Sequence, residues 1–339
     1  MNKRLQVGVI GLGIGMQHAR AVAAHPGAEL AMLCDLAPEK RAQAAAEFPD
    51  TPFVPNAEEL LAADLDVVSI ASFDDAHYLQ ARKTIEMGRH VYLEKPLCLR
   101  ESETRELAAL LRAHPDVRLS SNLVLRTCPR FVRLKQEMDA GALGFVYHLE
   151  ADYLWGRLAK LTEGWRAEME HYSIILGAAV HMVDLALWLT GQRPVSVAAL
   201  GSNFATGGTR QRHNDFAVLL MRFPGGLSAK IAAHGGCTHP HFHRLAVYGT
   251  QKTFAGELPG AYWLDSSDAT MPPRVENAAY PGREERGQAL ASFIDTLNGV
   301  VSRPLVDEAA AFAAMSVCHA AERAIETGRE CAVDYFWDA

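Results

Sequence analysis

Near its start the chain reads GLGIGMQHA (11–19), a string suited to holding phosphate. Gly11 fits a tight turn, Gly13 allows backbone to approach a pyrophosphate, and the amides at the head of the next helix, Ile14 to Met16, aim partial positive charge at it. In the usual G-x-G-x-x-G the last glycine would stand at Met16; here Gly15, one place earlier, is the small residue available where helix meets strand. The string follows an apolar run and opens a helix, and Asp35 closes the next apolar run about twenty residues on. A carboxylate there accepts hydrogen bonds from both ribose hydroxyls of NAD and repels the 2′-phosphate of NADP. LAPEK, which follows, supplies Lys40 but no arginine, so NAD is expected ahead of NADP. A purely structural glycine turn, with Asp35 as a helix cap, is the competing reading.

Four other groups carry chemistry. In HVYLEKPLCL (90–99), Glu94 and Lys95 stand side by side at the carboxyl end of a buried-type strand, where ligands bind in parallel sheets. In isolation such a pair also reads as a charged strand cap. The helix YSIILGAAVHMVDLALW places His181 and Asp184 at i, i+3, so the carboxylate is able to orient the imidazole. Between 150 and 166, EADYLWGRLAKLTEGWR concentrates Tyr153, Trp155, Arg157, Trp165 and Arg166. Aromatic faces suit sugar C–H surfaces and arginines suit carboxylate or phosphate, although packing between domains would use the same residues. Tyr172, and Arg126 in SNLVLRTCPRF, join them as candidates to meet a substrate. Finally, HGGCTHPHFHRLAVYGT contains His234, His239, His241, His243 and Cys237; in an extended segment the last three histidines project to one side. That invites a metal reading beside substrate contact or a core or oligomer surface. No metal is expected, because hydride transfer to NAD needs none.

The elements that must position these groups fall into two textures. Up to about residue 122, apolar runs (LQVGVIG, AELAMLCD, LDVVSIAS, HVYLEKP, VRLSSNLV) alternate with amphipathic stretches of helical length. This predicts a parallel sheet covered on both faces, a Rossmann-type α/β domain over 1–122. From 123 to 339 the pattern becomes α+β. A helix near PRFVRLKQEMDAG and another around LGAAVHMVDLALWLTG accompany a series of β-like runs separated by turns such as FPGG, which predicts a large, open, mostly antiparallel sheet. Residues 284–298 and 306–328 read as closing helices.

The bulk numbers exclude several classes. A chain of 339 residues, 49% hydrophobic, suits two cores rather than one. With 33 basic and 40 acidic residues the net charge is −7 and no basic block stands out, so no nucleic-acid surface is expected. The six scattered cysteines form no CxxC pair and fit reduced thiols in a cytoplasm. The opening MNKRLQVGVIG reads as a first strand rather than a leader, and no run reaches the roughly 18 apolar residues of a membrane helix.

Taken together, these segments resemble the Gfo/Idh/MocA oxidoreductases, which act on sugars, inositols and nucleotide sugars. The resemblance runs over nearly the whole chain: the glycine turn, Asp35, SFDDAH at the place of that family's TPNxxH, EKP at Glu94-Lys95-Pro96, GALG at 141–144, GWR at 164–166, and HxxD from His181 to Asp184. It implies that Ser72, Phe73, His77, Glu94, Lys95 and Asn122 lie along NAD and that Lys95 reaches the reacting carbon. Lys95 and His181 are then the catalytic candidates, with Lys95 needing a pKa lowered toward neutrality by desolvation or the positive nicotinamide ring. Family members often carry D-x-G-x-H-x-x-D, and here the first position is Gly177, so the carboxylate of a Lys–His–Asp triad is missing. A Lys95–His181 pair, or Lys95 with Tyr153 or Tyr172, remains. The implied activity is hydride transfer between NAD and a ring hydroxyl or ketone of a carbohydrate-type substrate lying between the nicotinamide and the open sheet, in a homodimer or homotetramer. Other readings are a glycosidase or aldose–aldose oxidoreductase that recycles bound NAD, and a non-catalytic NAD- or sugar-sensing module.

Overall fold

β-Branched and leucine-rich runs build a sheet from β1 (Leu5–Ile10), β2 (Ala28–Cys34), β3 (Phe53–Val54), β4 (Val67–Ile70), β5 (His90–Leu93) and β6 (Leu119–Ser121). The computed structural model describes residues 4–338. All the pairings are parallel, in the order β3-β2-β1-β4-β5-β6. Every residue of β4 is buried, as expected of a central strand covered on both faces. The order reverses between β1 and β4, so the glycine turn after β1 and the SFDDAH segment after β4 meet at the carboxyl ends of neighbouring strands, the usual ligand position in such sheets. The sequence pattern does not disclose β3 or the short helix Ala57–Leu61, which Asn56 caps by accepting from the Glu59 amide at 2.9 Å. Two-residue strands carry too little alternation to register in sequence.

The chain folds into two compact units. The first holds the chain through Val124, then Glu284–Phe312 and the stretch from Phe336; the second holds Leu125–Arg283 and Ala313–Tyr335. The division expected from sequence places everything after 122 in one domain. The difference comes from the helix Gln288–Leu297, whose Ala289, Leu290, Phe293 and Ile294 bury against Val7, Val22, Val67 and Tyr92 of the first sheet. Arg118 and Glu308 fasten the following segment to β6, the carboxylate also accepting from the Leu119 amide at 2.9 Å.

In the second unit β7 (Val146–Leu154), β8 (Ser196–Ser202), β9 (Phe216–Arg222), β10 (Ser228–His234), β11 (Phe242–Gly249), β12 (Thr253–Gly256), β13 (Ala261–Leu264), β14 (Arg274–Val275) and β15 (Cys331–Ala332) form one sheet. Its order is β14-β13-β12-β11-β7-β10-β9-β8-β15, and the pairings are antiparallel except that of β7 with β10. Alternation buries Ala217, Leu219 and Met221 on one face and leaves Leu200 and Leu220 exposed on the other. Both edge strands are two residues long, a length that discourages further pairing. The helix Val180–Thr190 is almost wholly buried and ends at Gly191 with φ +64°. Among the described residues no helix is long and apolar enough to cross a membrane.

Ser173 organises the entry to that helix. Its Oγ accepts from the Ile175 and Leu176 amides at 3.0 and 3.1 Å and donates to Glu322. Burial pushes the Glu322 carboxyl up to about 7; the Ser173 hydroxyl opposes this and the Glu326 charge adds to it. A carboxyl raised in the folded state binds more protons folded than unfolded. Stability therefore falls as pH rises from the unfolded value of about 4.3 to about 7, and is level above. Glu322→Gln is expected to flatten that slope and to add roughly 1–3 kcal/mol at pH 8, read from urea midpoints across the range. An unchanged profile would show that Glu322 is ionised at little cost.

Candidate active site

The three glycines of the turn meet different constraints. Gly11 has φ +83°, and a Cβ there would lie 2.3 Å from the Ala71 carbonyl oxygen. At Gly13 nothing lies within 4 Å of the Cβ position, so this backbone faces open space. A Cβ on Gly15 would stand 3.1 Å from Val9 Cγ1 and 3.2 Å from Ala71 Cβ, the close helix–strand approach that a third glycine serves. The displaced register is thus a shortened turn in which Gly11 takes the left-handed conformation, Gly15 makes the close helix contact and Gly13 is left open. Ile14 is partly exposed at the head of the helix, and the Met16 side chain packs with Val9, Leu12, Leu33 and Ala44.

Asp35 secures the same turn. Its Oδ2 accepts from the Leu12 amide at 2.6 Å and its Oδ1 from the Ala37 amide at 2.8 Å. Ala37, not Asp35, holds the cap position of the next helix. Each carboxylate oxygen keeps a second acceptor direction, which suits a pair of donating ribose hydroxyls. An open glycine, a helix head beyond it and a half-exposed acid form a cradle that fits a dinucleotide.

Behind Lys95 lies a buried polar network. Glu94 Oε1 accepts from Asn122 Nδ2 at 2.5 Å and faces His18 Nε2 at 3.3 Å, while Glu94 Oε2 accepts from the Lys95 amide at 3.2 Å. Tyr92 Oη donates to Asn122 Oδ1 at 2.8 Å, and His18 Nδ1 meets Ser69 Oγ at 2.9 Å. Burial works to raise the Glu94 carboxyl, but bonding and charge from His18, with Lys95 and Asn122, hold it below its ordinary range. Glu94 and Asn122, expected from sequence to lie along the cofactor, are each only 7% exposed; they bond to each other, and Glu94 also to the Lys95 amide. His77, expected beside them, is fully buried, with Nδ1 2.7 Å from the Pro96 carbonyl oxygen, and braces the EKP turn. Ser72, which donates to Gln80 Oε1 at 2.7 Å, and the exposed ring of Phe73 stay on the accessible side. His18 escapes the sequence reasoning, although a polar residue three places after Gly15 on a helix otherwise buried there is a usable signal.

In the second unit, Tyr153 of β7 gathers three histidines. It stacks on His181 with centroids 5.8 Å apart and planes 8° from parallel, and meets His241 and His243 edge-on at 5.1 and 4.9 Å. The His243 contact follows from register, since His243 of β11 pairs directly with Tyr153. His243 Nδ1 is 2.8 Å from Tyr280 Oη, a partner that no sequence motif announces. His239 lies apart, with Nδ1 2.6 Å from the Pro240 carbonyl oxygen, because the strand begins only at Phe242. Among the described residues no group of three or more His, Cys, Asp or Glu is arranged to hold a metal ion.

Asp184 and Arg126, both expected at the substrate, are paired with each other. Arg126 Nη2 donates to Asp184 Oδ1 at 2.6 Å, and Nε lies 3.1 Å from Oδ2. Their side chains are 9% and 1% exposed, and the carboxylate is taken up by the buried guanidinium. The missing carboxylate at 177 also has a physical account. Gly177 sits in the π-helical turn Ile175–Ala179, and a Cβ there would lie 2.4 Å from Tyr172 Oη. The buried Tyr172 phenol fills the space in which a side chain at 177 would begin.

A parallel sheet with this strand order, an open glycine turn and an acid ending β2 define a dinucleotide-binding unit; the other unit is an open mixed sheet carrying a tyrosine–histidine cluster. Residues 5–122 match the oxidoreductase family model with an NAD-binding Rossmann fold, and residues 131–255 match the Gfo/Idh/MocA C-terminal domain. An uncharacterized oxidoreductase of Synechocystis is 31% identical over 265 residues, covering 72% of this chain and 69% of the relative. Inositol 2-dehydrogenase 2 of Saccharopolyspora erythraea is 29% identical, over 83% of this chain and 78% of its own length. Among solved structures, the WlbA dehydrogenase of Bordetella pertussis, in complex with NADH and UDP-GlcNAcA, shares the fold with a TM-score of 0.80 at 23% identity, covering 98% of this chain and 99% of that one. The chain belongs to the Gfo/Idh/MocA family of oxidoreductases, and its first unit is the family's NAD-binding domain.

Proposed function

We propose that this protein is an NAD-dependent dehydrogenase that oxidises a ring hydroxyl of a sugar, inositol, sugar acid or nucleotide sugar, or reduces the corresponding ketone. The observation that carries the reading is Lys95, held at the carboxyl end of β5 by a buried carboxylate whose other bonds are taken by Asn122 and His18. Lys95 takes the proton from the reacting hydroxyl. NAD, when bound, accepts the hydride from the same carbon. Gly13 and Asp35 hold the dinucleotide, and Ser72 and Phe73 flank it. His181 holds or relays the released proton, its ring plane kept by the stacked Tyr153, and Tyr172 takes the place of the carboxylate absent at 177. Arg157, Trp165 and Arg166 contact the substrate.

The inositol dehydrogenase relative and the neighbour solved with a nucleotide sugar support the substrate class. Exposed Leu200 and Leu220 on the outer face of the open sheet support pairing of two copies there, and six free thiols support a reducing cytoplasm. The test is a screen of inositols, sugar acids and nucleotide sugars for NADH formation, with Lys95→Met as the blank. One class is expected to give Lys95-dependent NADH. Turnover with no net change in NADH would replace this reading with a recycling reaction.

A further inference from the structure

Within one short stretch, Arg157, Lys160 and Arg166 stand without a counterion: among the described residues no carboxylate lies within ion-pair distance of any of them. Other cations of the unit are paired: Arg126 has Asp184, Lys230 and Arg244 share Asp152, and Lys252 has Glu137. The Arg166 guanidinium lies 4.0 Å from the Trp165 ring centroid and 5.5 Å from that of Trp155. Its Nε is buried and has no hydrogen-bond partner. A donor stripped of water between two indoles is costly until an acceptor reaches it. Desolvation, together with the Arg157 and Arg166 charges, pulls the Lys160 ammonium below its ordinary range, so the three cations act on one another.

Their place in the fold bears on what they would bind. Trp155 continues the line of β7, its amide donating to the His234 carbonyl at 3.0 Å, and lies two residues beyond Tyr153, on the same face. Two strand residues advance roughly 7 Å, about the breadth of a sugar ring. Tyr153 stacks on His181, and Trp155, with the Arg166 guanidinium 5.5 Å from its ring centroid, follows further along the strand.

We infer that Arg157, Lys160 and Arg166, with the Arg166 guanidinium set against Trp165 and Trp155, form a subsite for an anionic substituent of the substrate, a carboxylate or a phosphate. The inference rests on the dehydrogenase reading for the identity of the ligand as substrate. The guanidinium offers a planar fork to two oxygens of the anion, Lys160 adds a point charge, and the indoles exclude water from the contact.

The test follows tryptophan fluorescence of the whole protein titrated with glucuronate against glucose, and with UDP against uridine. At least one anion is expected to bind ten or more times tighter than its neutral counterpart, with affinity falling as salt rises. Arg166→Gln is expected to reduce that preference at least fivefold. Lys160→Gln, at an exposed position, is expected to do the same, and decides the matter if the Arg166 variant does not fold. Binding of glucuronate alone would assign a carboxylate, and of UDP alone a phosphate. Equal binding of charged and neutral ligands, or a preference untouched in the folded variants, overturns the subsite. Fluorescence needs no hydride transfer, so failure of the dehydrogenase reading leaves this result standing. Conversely, NADH formation confined to neutral substrates overturns the subsite and keeps the dehydrogenase.

Discussion

Lys95→Met is expected to lower turnover by about a thousandfold, within the usual range of roughly 10²–10⁴ for loss of a positioned proton acceptor, while NAD still binds. Methionine keeps the unbranched stem and removes only the group that takes the proton. The backbone of the turn does not depend on that group, because Glu94 Oε2 accepts from the Lys95 amide and His77 bonds to the Pro96 carbonyl. Nor does the proposed dinucleotide cradle, in which Gly13 and Asp35 lie beyond the ends of β1 and β2. The measurement pairs steady-state turnover at saturating substrate with NAD titration by fluorescence. A loss of turnover under tenfold, with NAD affinity intact, would remove Lys95 as the base; loss of NAD binding would make it a cofactor ligand instead.

What is legible ahead of the structure is whatever depends on residue type at a local spacing. Gly11 and Gly15 are legible because a positive φ and a tight helix contact both favour glycine, and Gly13 because its spacing from them matches a phosphate-binding turn. Asp35 is legible from its place at the end of β2. Non-local pairing is not. Arg126 and Asp184 are 58 residues apart, and nothing in either segment specifies that the buried guanidinium takes that carboxylate. The polarity of Glu94, Asn122 and His77 is visible in the sequence, but their burial and their bonds to one another and to the EKP turn are not. The helix Gln288–Leu297 illustrates the same limit in the core: its apolar stripe predicts burial, but not that Phe293 packs on Tyr92 of the first sheet.

The Arg126–Asp184 pair gives the largest expected change in stability. Asp184→Ala should destabilise the protein by roughly 3–5 kcal/mol, because it leaves a buried guanidinium without its carboxylate. Burial pushes the Asp184 carboxyl up, and the Arg126 charge pulls it back only in part, so desolvating the pair already consumes much of its attraction. A pair of that kind contributes little net stability as a whole, yet neither half can be removed alone. Arg126→Met combined with Asp184→Leu should therefore recover most of the loss, since apolar side chains of similar size carry no desolvation cost. Urea unfolding of Arg126→Met, of Asp184→Leu and of the double variant that combines them measures the coupling directly. Additive losses would mean that the two side chains act independently; a double variant close to wild type would show that the contact is costly only when broken. Asp184 stands one helical turn after His181, so the same series measured for turnover separates support of that helix from any direct action on the imidazole. If the double variant regains stability and turnover together, Asp184 serves His181 only by holding the helix that carries it.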